Sequence, residues 1–497
     1  MGLCLGPILG FRGVTRTAWN VSALVAADDA RAPALQWWTE DDTKRRAPGE
    51  TSLLLDTGKV KIWRHDWGLK QERTPVRAFY AVAGGTPIDF TVPERGADPR
   101  IAYASCNGFS NPRDMKRVGD KNERWVDLNS RHDERPFNIL MMGGDQVYSD
   151  TIWETVEPIK KWVERPRAAR LTAAFTESMR RKVDQFYLDL YLSRWSQTEP
   201  AGAMARIPTV MMWDDHDIFD GWGSYPPELH QCPVYQGIFE VARKYFQVFQ
   251  LQTPPGSPTP ATLPGQSFFT FTHQFGTLAI LALDMRSERT DQTIMSRGSW
   301  DVVLEWMSGL TGCSHLLIMA SIPVVHPDFS LLEKVLGLLP GRQDLEDDLK
   351  DHWLSRSHKE ERLRFIHRML KFMESSNTRV TLLSGDVHVG AVGVIKSERT
   401  ADGDPNKRVI NQLTSSGIVH PSPPGMALHF LESAGEKVEE VDRDITARML
   451  EVPGTRYRFI GTRNWMSLTP DDQRRLWAEW HISGQPKPFT KVVHPCG

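Results

Sequence analysis

No apolar run in this chain is long enough to form a membrane-crossing helix: stretches such as 278–283 fall far short of the roughly 20 residues a bilayer span requires. Nor is there an excess of either charge. With 60 Lys and Arg against 62 Asp and Glu, the formal net charge of −2 creates no overall field to recruit nucleic acid or an anionic membrane, so nucleic acid is not expected as a specific partner. Cysteine is scarce. Cys4, Cys106, Cys232, Cys313 and Cys496 are odd in number and scattered, with no CxxC pair, which argues against a disulfide framework and a thiolate zinc knuckle. The opening residues lack the basic region and sustained apolar region of a secretory leader and carry no twin-arginine pair, so a cytoplasmic setting is expected. Absent too are a GxSxG elbow, a GxxxxGK[ST] phosphate loop and an HExxH helix, which removes three familiar chemistries.

What is present divides into two regions. At 497 residues the chain exceeds what one hydrophobic core usually serves, so two domains, or one with large insertions, are expected. Within 1–95, Leu53-Leu54-Leu55, Lys59 to Trp63, Val76 to Val82 and Ile88 to Val92 are short alternating strands between Gly and Pro punctuation. They predict a small all-β sandwich domain ending at a linker near Pro93-Glu94-Arg95-Gly96. Across 96–497, apolar β-rich runs are separated by helical patterns near 151–195, 235–250, 298–309 and 358–375. A last helix is expected from the cap-like Thr469-Pro470-Asp471-Asp472 to Trp480. The Pro-rich 253–264 and the polar 341–360 read as surface loops.

Nearly every apolar run stops at a polar cluster. Arg100 to Ala104 ends at Ser105-Cys106-Asn107, 137–142 at Gly143-Gly144-Asp145, and Thr209 to Met212 at Trp213-Asp214-Asp215-His216-Asp217. Further on, 277–283 ends at Asp284-Met285-Arg286 and 380–383 at Ser384-Gly385-Asp386-Val387-His388. Continuous apolar strands with chemistry at their C-terminal ends are the habit of layered α/β proteins.

An aspartate at 145, projecting from a glycine turn, can bridge two cations, and Tyr148 can return to the same point as a phenolate. The alternative is an Asp capping the next helix, with Tyr148 in the core. The run 214–217 sets three carboxylates beside a histidine, which is costly unless a cation or a hydrogen-bond network neutralises them. A solvated acidic turn is the bland reading, opposed by the apolar run leading into it. Asp386 and His388, two apart on an extended segment, are expected to share a face, with Gly385 and Gly390 letting the backbone turn closely. Cys106 by itself is more often a small hydrophobe than a ligand. Arg286 could hold a phosphate bidentately or pair with Asp284 inside the sheet, and with Asn107 it is the candidate substrate contact. His326 and His420 also follow strand-like runs, but read as surface loop residues.

The blocks, in this order, resemble the calcineurin-like metallophosphoesterases, where a GD block, an NH block and a GHxH block build a two-metal site. The departures are specific: Asp215-His216 stands for Asn-His, Asp386-Val387-His388 for His-x-His, and Cys106 for Asp-x-His. A strand-end Cys with GDxxY, WDDH and SGDVH blocks resembles alkaline phosphatase D (PhoD-like), a likeness covering residues 100–420. That resemblance implies a layered α/β/β/α metallophosphoesterase sandwich, carrying helical insertions near 151–205 and 326–375, after the β-sandwich of 1–95. It implies a phosphomonoesterase using a two-metal-activated water on a phosphate ester, with phosphodiesterase or phospholipase D-like activity as one rival and a non-catalytic metal-stabilised scaffold as another. By the same resemblance, Cys106, Asp145, Tyr148 and His388 hold one metal, while Asp145 as bridge, Asp215 and Asp386 hold the second. His216 stands near the leaving group. Phenolate and thiolate donors favour Fe(III), and the oxygen-rich second position suits Ca, Mn or Mg.

Overall fold

Two large sheets carry the chain, and the alternation of their buried side chains says how they stack. The computed structural model describes residues 2–265, 268–327, 358–399 and 405–496. Its first sheet has ten strands, in the order Phe489–Val493, Leu476–Ile482, Asn464–Pro470, Ile101–Ala104, Ile139–Gly143, Thr209–Met212, Leu3–Val14, Ala18–Ala27, Lys61–Lys70 and Glu50–Asp56. The second runs Phe271–Phe275, Leu278–Ala282, His315–Met319, Arg379–Ser384, Val409–Thr414, Gly390–Ser397, Ile445–Leu450 and Glu439–Asp442, with Phe459–Ile460 beside Gly390–Ser397.

Successive residues of a strand face opposite ways. Leu278, Ile280, Ala282, Leu317, Met319 and Leu383 join the core shared with the first sheet. Ala279, Leu281, Leu316, Ile318 and Leu382 join a second core beneath the helices Arg297–Gly309 and Lys359–Ser376. Trp125 and Leu128, from the helix Glu123–Glu134, and Val183 and Tyr187, from Glu177–Trp195, pack into the first core from outside. The layers are therefore α/β/β/α, as the family resemblance implies.

In each sheet the middle strands are parallel. They are Ile101–Ala104, Ile139–Gly143, Thr209–Met212 and Leu3–Val14 in one, and Leu278–Ala282, His315–Met319, Arg379–Ser384 and Val409–Thr414 in the other. Strands covered on both faces are mostly apolar, which is why Ile139–Gly143, Leu278–Ala282 and His315–Met319 read as near-continuous runs, whereas Val409–Thr414 carries the buried amides Asn411 and Gln412. Parallel strands also deliver their C-terminal ends to one edge of the sheet. Cys106, Asp145, Asp215 and Asp386 all lie just past such ends.

The N-terminal region is β-rich. A three-stranded sheet, Leu35–Thr39, Val76–Val82 and Ile88–Val92, packs on the strand Lys61–Lys70 through Trp67, Tyr80 and Phe90, with ring centroids 5.6 to 6.3 Å apart. The other leaf of this sandwich is continuous with the central sheet, because Leu3–Val14 pairs in parallel with Thr209–Met212. The expected helical insertion near 151–205 consists of helices from Ile152–Thr155 to Thr198–Arg206. Of the insertion expected near 326–375, residues 328–357 lie outside the described residues, as does most of the loop expected at 341–360.

One helix is corrected. In place of a helix over 469–480 there is a hairpin of Asn464–Pro470 and Leu476–Ile482. The Asp471 carboxylate accepts from the backbone N–H groups of Gln473 and Arg475 and from the Trp477 indole, so it closes a turn and caps no helix. Leu476, Ala478 and Trp480 are buried in strict alternation, the period of a strand.

Candidate metal centre

Two glycines let the strand ends press together. Gly144 has φ +106°, and a Cβ there would meet the Asp214 Cβ at 2.8 Å; a Cβ on Gly385 would lie 2.3 Å from Ser105 Oγ. The residues beside them are bent as sharply. Cys106, Asp145, Asp386 and His388 have φ of +55°, +56°, +68° and +54°, four of the nine left-handed non-glycine residues among those described. Each such conformation costs about 1–3 kcal/mol, which the surrounding structure must offset, and strain of this kind gathers where side chains must converge.

They do converge. Cys106 Sγ lies 3.4 Å from Asp145 Oδ2, and the Tyr148 hydroxyl lies 3.4 Å from the same oxygen and 3.2 Å from His388 Nε2. Ligand atoms of Cys106, Asp145 and His388 fall within 4.8 Å of one another, as do those of Asp145, Asp215 and His216, and those of Asp214, Asp215 and Asp386. Asp145 belongs to two of these groups. Asp386 and His388 belong to different ones, which corrects the expected shared face. Their left-handed backbone lies in the loop between Arg379–Ser384 and Gly390–Ser397, so the alternation of an extended strand does not apply.

The donors fit cations. Asp145 Oδ1 is buried without a hydrogen-bond partner. Burial, then the neighbouring Cys106, pushes the Asp145 pKa well above the usual carboxylate range, with Asp214 and Asp215 adding to it. Crowded buried carboxylates are expensive unless paired or metal-bound. Thiol, phenol and imidazole surround one side of Asp145, and carboxylates the other, two donor sets that suit different cations.

His216 stacks on Tyr148 with centroids 4.3 Å apart, and its Nδ1 lies 2.9 Å from Asp150 Oδ2. Burial pulls its pKa down, but Asp150, then Asp215 and Asp145, outweigh that and hold the ring protonated well above its ordinary range. Asp150 is itself fixed by the Asp220 N–H, 2.9 Å away. Asp217 is a brace, a role nothing in its sequence neighbourhood marks. It accepts from the backbone N–H groups of Asp214, Gln146 and Val147 and from the Gln250 amide, tying the 145 loop to the 214 loop. Gln250 ends a single π-helical turn, Phe246–Gln250, that continues the helix Pro233–Tyr245.

Two candidate substrate contacts sit elsewhere than expected. Arg286 is fully buried: Nε pairs with the Asp214 carboxylate, Nη2 lies 3.3 Å from Asp215 Oδ1, and Nη1 donates to the Trp222 carbonyl. It neutralises the site's own carboxylates from behind. Asp284, its expected partner, accepts the Arg286 backbone N–H as well as the Trp213 indole and the Phe269 N–H. Asn107 is buried with both ends of its amide committed, donating to the Gln146 carbonyl and accepting from the Trp125 indole, so it braces the loop.

His420, which in sequence reads as a surface loop histidine, is instead buried and stacks on His388 at 3.6 Å. The signal was available: Ser415-Ser416-Gly417 after Val409–Thr414 repeats the pattern of an apolar strand running into a small polar cluster. His326 is buried too, with Nδ1 on the Pro327 carbonyl, and belongs to none of the three groups.

A sequence profile of PhoD-related phosphatases matches residues 70–340 and 330–452. The chain belongs to that family. Over 84% of its length this PhoD-related chain is 27% identical to the Saccharomyces cerevisiae protein YGR266W, itself uncharacterized, and spans 72% of it. The solved structure of PhoD matches 98% of the chain and is itself covered over 90%, with a TM-score of 0.60 at 13% identity, a likeness of fold. Family membership supports a phosphatase-type hydrolase.

Proposed function

We propose that this PhoD-related chain hydrolyses phosphate monoesters at a two-metal centre. One cation, Fe(III), would be held by Cys106, Asp145, Tyr148 and His388; the other, Ca, Mn or Mg, by Asp145, Asp215 and Asp386. The observation that carries the reading is Asp145, which belongs to two donor groups of different chemistry and buries an oxygen that no hydrogen bond satisfies. When bound, such cations neutralise the charge of a phosphate and acidify a water enough for it to act as nucleophile.

The chain's own residues supply the rest. His216, oriented by Asp150, carries the proton that the departing alkoxide needs. Arg286 holds Asp214 in place and lies beside Asp215 from the buried side. Asp217 keeps the two loops in register.

The test is Asp145→Asn. It should lower metal content at both positions and abolish turnover of an aryl phosphate while circular dichroism stays native. Full metal content with a near-normal rate would overturn the assignment. Faster cleavage of a bis-aryl phosphate than of the monoester by the wild-type protein would make it a diesterase instead.

A further inference from the structure

We propose that His420 is a positioning residue for the centre, fixing the rings of His388 and Tyr148 without itself being a ligand. The inference rests on the two-metal reading above and names a residue that reading does not use.

Four rings form one stack. His216 and Tyr148 lie 4.3 Å apart at 27°, Tyr148 and His420 lie 5.5 Å apart at 19°, and His420 and His388 lie 3.6 Å apart at 15°. His420 thus faces both ring donors assigned to the Cys106 side. His388 sits in a loop at φ +54°, anchored by its backbone N–H on Ser416 Oγ at 2.9 Å, and its ring is otherwise met at Nε2 by the Tyr148 hydroxyl at 3.2 Å, a group assigned to the same cation. A ring stacked at 3.6 Å restricts the imidazole from its face as well.

The nitrogens of His420 are spent. Nδ1 lies 2.9 Å from the Pro421 carbonyl, which can only accept, so Nδ1 carries the hydrogen. Nε2 is then the acceptor of the neutral ring, and the Ser110 hydroxyl lies 3.1 Å away to fill it. Neither lone pair nor hydrogen is left over for a cation. The loop is clamped further by Arg117 Nη2 donating to the Ser422 carbonyl, so the segments 110–117 and 420–422 hold the ring edge-on while its faces do the packing.

A neighbour that orients a metal-bound imidazole is worth about 10-fold to 100-fold in metal affinity. The experiment titrates Co2+ into metal-free protein and follows the thiolate-to-cobalt absorption of Cys106, which reports the position His388 and Tyr148 share. The melting temperature of the metal-free protein is recorded alongside. His420→Ala should weaken that site about 10-fold to 100-fold. His420→Phe, which restores a ring but no nitrogen, should bring affinity back close to wild type. Ser110→Ala, at a half-buried position, removes one of the two hydrogen bonds on the ring edge and should weaken binding in the same direction, by less, with the fold intact. Wild-type affinity in His420→Ala overturns the proposal. So does an equal loss in His420→Phe, which would make a ring nitrogen the working group. Wild-type protein without the thiolate band overturns the centre itself, and the role of His420 with it.

Discussion

Replacing Arg286 with methionine separates two roles for a cation at the end of a strand. Its side chain is fully buried, and the carboxylates of Asp214 and Asp215 that it faces are only 1% and 4% exposed. Methionine has similar length and no charge, so packing changes little and no large cavity opens. What changes is electrostatic. Two carboxylates already crowded by Asp145 and Asp386 lose their guanidinium, and stripping one partner from a buried ion pair costs about 3–5 kcal/mol. The Trp222 carbonyl loses a donor as well, worth about 1 kcal/mol. Against a typical total of about 5–15 kcal/mol, that is about a quarter of the stability or more.

Guanidinium unfolding of metal-free and metal-loaded Arg286→Met measures this. The metal-free protein should show the full loss, and the loaded protein less, because a cation beside Asp215 and Asp386 takes over part of the neutralisation. The KM for an aryl phosphate should change modestly. Were Arg286 a substrate clamp, stability would hold within about 1 kcal/mol while KM rose about tenfold or more, the equivalent of about 1.4 kcal/mol. That outcome would refute the argument.

His216→Ala should slow alkyl phosphates far more than nitrophenyl phosphates, because a good leaving group needs little proton donation; equal losses on both would leave His216 a packing residue. Iron-loaded protein should be coloured by phenolate-to-metal charge transfer, and Tyr148→Phe should bleach or shift the band at constant iron content; an unchanged band would remove Tyr148 from the donor set. Acid should weaken the fold early. Burial pulls the pKa of His65 and His132 down to about 4 and that of His481 to about 3, whereas an unfolded histidine titrates near about 6.5. The unfolded chain therefore binds protons first, and stability that is full above pH of about 6.5 declines as pH falls toward about 4. A urea midpoint that stays flat from pH 7 to pH 5 would contradict this.

The sequence was most legible where burial leaves no choice. A parallel strand covered on both faces is apolar along most of its length, so Ile139–Gly143 or Leu278–Ala282 stands out, and the first polar residues after it mark where the chain leaves the layers. What could not be read depends on partners distant in sequence or on backbone angles. Arg286 and Asp214 are 72 residues apart, and no local pattern tells a guanidinium aimed at a carboxylate from one aimed at a substrate. Thr469-Pro470-Asp471-Asp472 satisfies the chemistry of a helix cap and of a hairpin turn alike; the alternation of Leu476, Ala478 and Trp480 decides it. Nothing in Ser384-Gly385-Asp386-Val387-His388 announces two left-handed residues, and without them the loop would aim both side chains the same way.

The acidic run shows why residue type alone cannot assign roles here. Asp214, Asp215 and Asp217 fall within four positions, yet each is neutralised differently. Asp214 is paired by Arg286 from behind. Asp217 is satisfied by three backbone N–H groups and an amide, all from the protein. Asp215 accepts the Gly221 N–H and otherwise faces the cluster of Asp145, His216 and Asp386, with Arg286 at 3.3 Å. A carboxylate that the protein satisfies completely has no capacity left for a cation, and one that faces other carboxylates has little else to stabilise it. The division of labour follows from that contrast. Asp217 fixes the geometry, and Asp215, with the unsatisfied oxygen of Asp145, is where added positive charge is worth most.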